Sequence, residues 1–507
     1  MKDLFNLIPG TNTRDILSTD RPIGYAIYFP AARDLTRFAI HAPFVKTLRT
    51  SCLYTVDFPS EWPSSGPDAV LSPLLPNLQD LVITTSRMVG AARSVNWIPR
   101  LLYPGLLGLQ MFSIKHSDDG VECYSWIDQD SYFELVNQVS HICPRIETLR
   151  LFPRDIAQSG EDNCLEIYNQ ITSLQHLRSL TFSGTMVHEE LLKVLGQLPH
   201  LETLSLCTDN MEEWEYDESP LAVSDDSFPS LRHLYLYGLD ESAMSRVCKV
   251  PPLFHHLVKV IIVFEDQYFD ENMEDNGRSD VAVTCLGQNS PHVEELTILP
   301  RGDNGLFFIS RPTLDKLKRM PLRYLRLGDF IFSGGYEESD DEGDEGANNP
   351  SDRFESHQRG ESHWKSLLSS VPQLEELHLE RKPLDPQLLQ LIALGLPNLR
   401  LLVFGDLDLK KVKSSGKANP VAAQPITLRG YSYFWCQKLF NRNLPSEEHI
   451  YNAAKYILSI WPNITACETH KTTGDTGITD SEPDETAVPK LCAAIQSLKA
   501  GANYKRR

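Results

Sequence analysis

The side chains best suited to chemistry in this chain are its histidines, cysteines and carboxylates, and their spacing matches no catalytic or metal-binding motif. The sequence contains no G-x-x-x-x-G-K-S/T, G-x-G-x-x-G, H-E-x-x-H or G-x-S-x-G segment. His255 and His256 are adjacent, so on a strand they would face opposite sides and could not easily chelate one metal ion. The acidic stretch 270–277 has glycine at its eighth position, whereas a calcium loop needs it at the sixth. These patterns predict a protein that is not an enzyme, with no catalytic, cofactor-binding or metal-binding residues.

The cysteines and the apolar runs bear on the compartment. The 10 cysteines are scattered singly without a C-x-x-C pair, which predicts reduced, mostly structural thiols. The opening residues MKDLFNLIPG lack the basic and apolar regions of a secretory signal. No apolar run approaches the roughly 20 residues that a bilayer span needs. We therefore expect a cytoplasmic or nuclear location.

The balance of charge bears on the kind of partner. Lysine and arginine number 48 against 68 aspartates and glutamates, which gives a formal net charge of -20. Nucleic acids and anionic membranes need a basic face that neutralises phosphates. We therefore expect a protein as the partner, and neither nucleic acid nor a membrane.

A recurring apolar phrase predicts the elements that must position any binding residues. The phrase Pro-x-Leu-x-x-Leu-x-Leu, with Ile, Val or Phe as substitutes, returns at irregular intervals along almost the whole chain. Its last three apolar positions fit a short strand whose alternate side chains point into a core. Proline lies just before the strand, where no ladder donor is lost. The clearest copies begin at Pro76, Pro144, Pro199, Pro229, Pro291, Pro372 and Pro397.

Between the predicted strands lie stretches with helical spacing, such as 188–195, 362–368 and 386–392. A unit of one strand and one helix cannot bury its apolar face alone, so consecutive units are expected to stack. The predicted fold is an α/β leucine-rich repeat solenoid, an irregular horseshoe with parallel strands on the concave face and helices on the convex face. A doubly wound parallel sheet is the alternative, but such a sheet has no reason to repeat one phrase.

Composition divides the chain into five predicted segments. Residues 334–361 inside the array contain glycines, an acidic run and few apolar side chains, which predicts a disordered insertion. Ser339, followed by Asp340, Asp341 and Glu342, is a candidate phosphorylation site for an acid-directed kinase, and a solvated charge run is the alternative. The segments are 1–42, an N-terminal helical cap; 43–410, the repeat array; 411–425, a linker; 426–467, a C-terminal cap or last repeat; and 468–507, a mostly disordered tail in which a short helix near Leu491, Ile495 and Leu498 precedes a basic tip.

The residues that flank the inward leucines are expected to form a tiled recognition surface on the concave face. Tyrosine and arginine are frequent binding hot spots, so residues of these types on the predicted strands are the main candidates. The candidates for partner binding are Arg150, His233, Tyr235, Tyr237, Tyr324, Arg326, Glu376 and His378. The alternative is that these are ordinary exposed strand residues.

The repeat phrases, the opening residues and the segment 37–48 resemble one protein family. In basidiomycete F-box proteins an F-box is followed by an apolar helix ending near Leu-Ile-Pro, by Arg-Phe-x-x-Tyr-Ala-x-x-Val-x-x-Leu, and by irregular leucine-rich repeats. Here Leu7-Ile8-Pro9 lies near the start, and His41 occupies the usual tyrosine position. The resemblance spans roughly residues 1–470, but the Leu-Pro-x-Glu-Ile-Leu opening of the F-box itself is not present.

This resemblance implies a substrate-recognition subunit of a cullin-type ubiquitin ligase, or a truncated relative of one. Docking to a Skp-type adaptor would require an F-box upstream of Met1. A scaffold or inhibitor that binds a protein partner is one alternative. An enzyme with an unrecognised site in the acidic loops is another.

Overall fold

The computed structural model describes the greater part of the 507-residue chain. The described residues are 7–9, 11–18, 21–28, 36–51, 54–57, 74–85, 97–113, 123–124, 126–127, 129–153, 161–183, 189–207, 223–239, 241–264, 278–300, 307–328, 330–332, 361–407, 424–431, 446–470 and 487–501. They belong to two compact units, Met1–His256 and Leu257–Arg507. Each unit is an α/β leucine-rich repeat array, which confirms the predicted fold class.

In the first unit seven strands pair in parallel and follow one another in chain order. Such order means that each repeat contributes one strand and pairs with the repeat before it. The strands are β3 (Thr47–Ser51), β5 (Asp80–Thr85), β6 (Gly108–Ser113), β9 (Thr148–Arg150), β11 (Ser179–Ser183), β12 (Thr203–Cys207) and β13 (His233–Tyr237). The short strands β7 (Cys123–Tyr124), β8 (Trp126–Ile127) and β10 (Phe152–Pro153) lie beside this sheet, with β7 antiparallel to β6 and β8 parallel to β10.

The second unit repeats this arrangement with seven further parallel strands in chain order. They are β14 (Lys259–Phe264), β15 (Glu295–Pro300), β17 (Tyr324–Leu327), β19 (Glu376–Leu384), β20 (Leu401–Leu407), β21 (Ile426–Tyr431) and β22 (Ile464–His470). A small parallel pair, β16 (Phe307–Ile309) and β18 (Phe330–Phe332), lies apart from them.

Helices follow most of the strands and pack against their successors in sequence. In the first unit they are α1 (Thr36–His41), α2 (Gln129–Ile142), α3 (Glu161–Ser173), α4 (Glu189–Gly196) and α5 (Glu241–Cys248). In the second they are α6 (Arg278–Asn289), α7 (Arg311–Leu317), α8 (Glu361–Ser370), α9 (Pro386–Gly395), α10 (Glu447–Ile460) and α11 (Ala487–Lys499). Pro386 is the first residue of α9, a position where the missing amide of proline removes no intrahelical hydrogen bond. The preceding Asp385 caps the helix, because its carboxylate accepts a hydrogen bond from the Leu388 amide.

The leucines of the phrase explain why these elements stack. On β12, Leu204 and Leu206 are fully buried, and in register they oppose Leu180 and Phe182 of β11. The same inward pairs continue through the second unit, where Leu325 opposes Leu377. Each side chain loses its water only when the neighbouring repeat is present, and burying one leucine is worth about 1.5–3 kcal/mol. The stacking of repeats is therefore the source of the core.

Backbone hydrogen bonds to the preceding repeat fix the residues at which each strand begins. The amides of Glu202 and Thr203 both donate to the carbonyl of Arg178, at 2.8 and 2.9 Å. The residue after proline adds a side-chain bond in several repeats: Asn77 donates to the Pro43 carbonyl at 2.7 Å and Ser230 donates to the Pro199 carbonyl at 2.7 Å. These bonds explain how the repeats align although they lack a regular asparagine after the strand.

The N-terminal segment differs from the predicted helical cap. Residues 1–42 contain a hairpin of β1 (Asn12–Ser18) and β2 (Arg21–Tyr28), and β2 also pairs in parallel with β4 (Tyr54–Asp57). Among the described residues of this segment only α1 is an α-helix, and it is followed by a short 3-10 turn, Ala42–Phe44. The alternation of Ile23, Tyr25 and Ile27 has a period of two, which suits a strand better than a helix.

The C-terminal end adds further strands and a last helix to the array. The segment 426–467 contributes strand β21, helix α10 and the start of strand β22, so the repeats continue through it. Within the predicted tail, α11 lies where the short helix near Leu491 is expected, packs against α10 and β22, and buries Leu491, Ala494 and Ile495. Cys467 on β22 and Cys492 on α11 form a disulfide, which corrects the expectation that the thiols are all reduced. The predicted insertion 334–361 lies, but for Glu361, outside the described residues, and so does most of the linker 411–425.

Candidate functional site: the outward faces of the strands

The outward positions of four neighbouring strands in the first unit form a polar tract. Arg150 of β9, Thr181 of β11, Ser205 of β12 and Tyr235 of β13 follow one another in register. A second row on the same face is Thr148, Ser179, Thr203 and His233. We call these eight residues, together with Tyr237, the hydroxyl tract. It contains no carboxylate, although the whole chain is strongly acidic.

Hydrogen bonds between strands order the side chains of the hydroxyl tract. The Nε of Arg150 donates to the Ser179 hydroxyl at 2.9 Å, which directs the guanidinium along the face. His233 Nδ1 lies 3.2 Å from the Thr203 hydroxyl. The hydroxyl of Thr181 is buried without a hydrogen-bond partner, so it keeps a donor that the protein does not use.

The candidates do not share one degree of exposure. Arg150, His233, Tyr235, Tyr324 and Glu376 are half-buried, with part of each residue open to solvent. Tyr237 and Arg326 face outward in register but are only 8% and 7% exposed. Adjacent strands lie less than about 5 Å apart, so large neighbours on them can close over a side chain. The expectation that these two residues are exposed contact points is therefore wrong.

In the second unit an aromatic and charged cluster spans β17 and β19. The Tyr324 and His378 rings lie with their centroids 4.8 Å apart, and Arg326 is the register partner of His378. The Nε2 of His378 is 3.8 Å from the Glu376 carboxylate, which is beyond hydrogen-bond length. Further along the same row, Arg429 of β21 donates to Glu468 of β22 at 2.8 and 3.1 Å.

The pKa values of His378 and Glu376 in this cluster both depart from their ordinary values. Burial lowers the pKa of His378 below its ordinary value, since the cationic form loses its hydration. Glu376 opposes that shift, while Arg326 and then Arg429 add to it. The interaction with His378 in turn lowers the pKa of Glu376. At neutral pH the face therefore presents a neutral imidazole and an ionised carboxylate.

A row of alternating charges lies just before the strands, and sequence reasoning missed it. In the first unit Arg178 donates to Glu202 at 2.7 Å and lies 3.7 Å from Glu147. In the second, Arg323 and Arg400 both reach Glu375, at 2.7 and 3.3 Å. We call this row the pre-strand ladder. Its members are Glu147, Arg178, Glu202 and Arg232 in the first unit, and Glu294, Arg323, Glu375 and Arg400 in the second. The signal was readable, because each member directly follows the first apolar residue of the phrase.

The other sites named from the sequence are placed as follows. Ser339 lies outside the described residues. His255 and His256 lie in a turn rather than on a strand, with their ring centroids 6.4 Å apart. Across the described part of the chain, histidines, cysteines and carboxylates form no group of three that could hold a metal ion. Within the same described residues, none of the helices has the length and apolar character needed to cross a bilayer.

Comparison with known proteins adds little to this geometry. No family model matches the chain, and no curated protein matches it either. Among solved structures, the chain is similar to one in the crystal structure of the TLR13–ssRNA13 complex, with 14% sequence identity and a TM-score of 0.30. The similarity covers 72% of this chain and 46% of that one, so this chain spans less than half of its length. The fold assignment therefore depends on the strand register and burial described above.

Proposed function

We propose that the chain is a non-enzymatic binding module that holds a protein partner on the outward faces of its strands. The observation that carries this proposal is the register of the strands, which brings polar side chains from successive repeats into continuous rows. Ser179, Thr181, Thr203 and Ser205 are buried, so the contacts that the first unit offers to a partner are the half-buried side chains of these rows. A rigid support for such side chains is the arrangement that repeat proteins use for recognition.

In the first unit the chemistry of the hydroxyl tract indicates the kind of contact. Arg150 supplies a cation whose direction is set by Ser179, and Tyr235 and His233 supply half-exposed rings. The tract has no carboxylate that would repel an acidic group. We expect it to receive an acidic side chain of the partner, bonded by the guanidinium and flanked by aromatic contacts.

In the second unit the cluster around Tyr324 supplies a different contact. Its charges are balanced in number, because Arg429 pairs with Glu468, the Arg326 guanidinium offsets the Glu376 carboxylate, and His378 is neutral. Tyr324 is half-buried and its ring lies against that of His378, so little side-chain entropy is lost when a partner covers it. We expect Tyr324 to act there as an aromatic anchor.

We further propose, from the resemblance to basidiomycete F-box proteins, that the bound partner is a substrate for a cullin-type ubiquitin ligase in the cytoplasm or nucleus. Two features support it: the repeat phrases and the segment 37–48. The test is binding of a purified Skp-type adaptor to the product of the complete genomic reading frame. Failure of that product to bind the adaptor would leave a scaffold or inhibitor as the function.

The binding module itself is tested with a photo-crosslinking amino acid placed at Tyr235 in the full-length protein. The cross-linked partner is identified by mass spectrometry, purified, and titrated against the variants Arg150→Ala, Tyr235→Ala and Tyr324→Ala. Each is expected to raise the Kd by about tenfold or more. The control Lys365→Ala changes an exposed residue on α8 and should leave the Kd unchanged. Equal Kd values for all four variants would overturn the proposal, and so would cross-linking to nucleic acid alone.

A further inference from the structure

We propose that the Cys467–Cys492 disulfide is a redox latch that holds α11 against the last strand of the second unit, and that reduction by a dithiol releases the helix. The proposal is independent of the partner that the strand faces bind. Its starting point is the place of Cys467 in the repeat. In register it opposes the buried Leu428 of β21, so it occupies a position that other repeats fill with an inward leucine or isoleucine.

The last repeat in an array has no successor to cover its inward face, and α11 takes that role. Leu491, Ala494 and Ile495 of α11 are buried, and α11 contacts both α10 and β22. Ala453 and Ala454 of α10 are buried as well.

Two specific bonds add to this contact. The disulfide joins Cα atoms 5.1 Å apart across a sequence separation of 25. Lys499, near the end of α11, donates to the carbonyl of Ile464 at the start of β22. The disulfide lies near the middle of the helix and the lysine lies at its C-terminal end, so α11 is held at two points along its length.

The disulfide is reachable from solvent. Cys467 is half-buried, and it lines an open groove of about 350 Å³ together with Ala466, Ile495 and Lys499. Cys143, Cys207, Cys248 and Cys285 form no disulfide.

The reaction balances with a dithiol as reductant. One thiolate of the dithiol attacks a sulfur of the disulfide and displaces the other cysteine as a thiolate, which gives a mixed disulfide. The second thiol of the reductant then closes its own disulfide and displaces the remaining cysteine. Two electrons and two protons pass from the dithiol to the protein, which gains two thiols. Helix α11 then keeps only its apolar contact and the Lys499 bond.

The test uses the full-length protein in buffers with stepped ratios of oxidised to reduced dithiothreitol. Free thiols are alkylated, the Cys467–Cys492 peptide is quantified by mass spectrometry, and amide hydrogen exchange is followed in the same samples. Removing a cross-link over a loop of this size is expected to speed the exchange of α11 amides by about a hundredfold. Exchange in β12 should not change.

Two variants provide controls. Cys492→Ser in oxidising buffer should exchange like the reduced wild-type protein, whereas Cys248→Ser, which alters a cysteine of α5 that forms no disulfide, should behave like the oxidised one. If Cys492→Ser fails to fold, the reduced wild-type protein still decides the matter because it carries no substitution. The proposal is overturned if α11 exchanges at the same rate in both redox states, or if the cross-linked peptide is absent at every ratio.

Discussion

The imidazole of His378 lies against the phenol ring of Tyr324 on the neighbouring strand, with the ring planes inclined by 48°. Its side chain is 13% exposed, and the Glu376 carboxylate is beyond hydrogen-bond length. A histidine held in this way is stable when neutral and costly to protonate. The pair therefore links the proposed binding face of the second unit to pH.

Acidification is expected to destabilise the protein through this histidine. The pKa of His378 is lowered in the folded state, mainly by burial, from an ordinary value of 6.5. Between the two pKa values the unfolded chain binds the extra proton, so the free energy of unfolding falls as the pH drops below 6.5. Glu376 acts in the same direction at lower pH, since its folded pKa is also lowered.

The measurement is urea denaturation at a series of pH values on both sides of that ordinary pKa. The variant His378→Gln removes the titrating group, so its free energy of unfolding should depend less steeply on pH than that of the wild-type protein. Identical slopes for the two proteins would show that protonation of His378 does not oppose folding.

The pre-strand ladder is expected to contribute a small, salt-dependent stabilisation. Arg178 and Glu202 are about half exposed, at 53% and 46%, so the solvent screens their attraction. A double-mutant cycle of Arg178→Gln and Glu202→Gln should give a coupling energy of about 0.2–1 kcal/mol at low salt. The coupling should shrink in about 1 M salt. A coupling that is unchanged by salt would mean that packing, rather than charge, joins the two side chains.

The inward leucines are expected to dominate stability. Leu377 on β19 is 1% exposed, whereas Leu394 on α9 is 59% exposed. Leu377→Ala should lower the free energy of unfolding by about 2–5 kcal/mol, because the stacked repeats cannot fill the cavity. Leu394→Ala makes the same chemical change at the surface and should cost less than about 0.5 kcal/mol. Similar losses for both variants, measured by urea denaturation, would contradict the stacked core.

Replacing Gly287 on α6 with alanine is expected to destabilise the protein, although alanine normally stabilises a helix. An added Cβ would lie 2.6 Å from the Cβ of Lys316 and 2.9 Å from its backbone oxygen on α7. Alanine is about 1 kcal/mol better than glycine in a helix, but this clash involves backbone that cannot move alone. Gly287→Ala should therefore lower the melting temperature. Gln288→Ala, at the exposed neighbouring position, should not lower it. A stabilised Gly287→Ala protein would show that the two helices can separate.

Cys143 is expected to be inert in the folded protein. Burial raises the pKa of its thiol to about 12, and the sulfur donates to the Tyr103 carbonyl at 3.3 Å. Alkylation by iodoacetamide near pH 8 should spare Cys143 and label the half-buried Cys248 faster. In denaturing urea the two should react alike. Rapid labelling of Cys143 in the native protein would indicate local opening near the end of α2.

The repeat phrase alone determined most of the architecture. Leucines two apart, such as Leu204 and Leu206, can be buried on one side only if the segment is a strand, and proline before it marks where the strand begins. The phrase recurs, so the same strand recurs, and parallel stacking is the arrangement that covers every inward face. The outward candidates Arg150, Tyr235 and Tyr324 follow from this alternation without further information.

The tertiary structure decided which residues far apart in the chain contact one another. Burial of Tyr237 and Arg326 depends on neighbours in other repeats, and alternation within one strand carries no signal of it. The disulfide brings together two cysteines that no local pattern pairs, and the charged residues of the pre-strand ladder form ion pairs because the strands stack in register. Local sequence sets which way a side chain points, because successive side chains of a strand alternate between its two faces. What that side chain meets is set by the packing of other repeats.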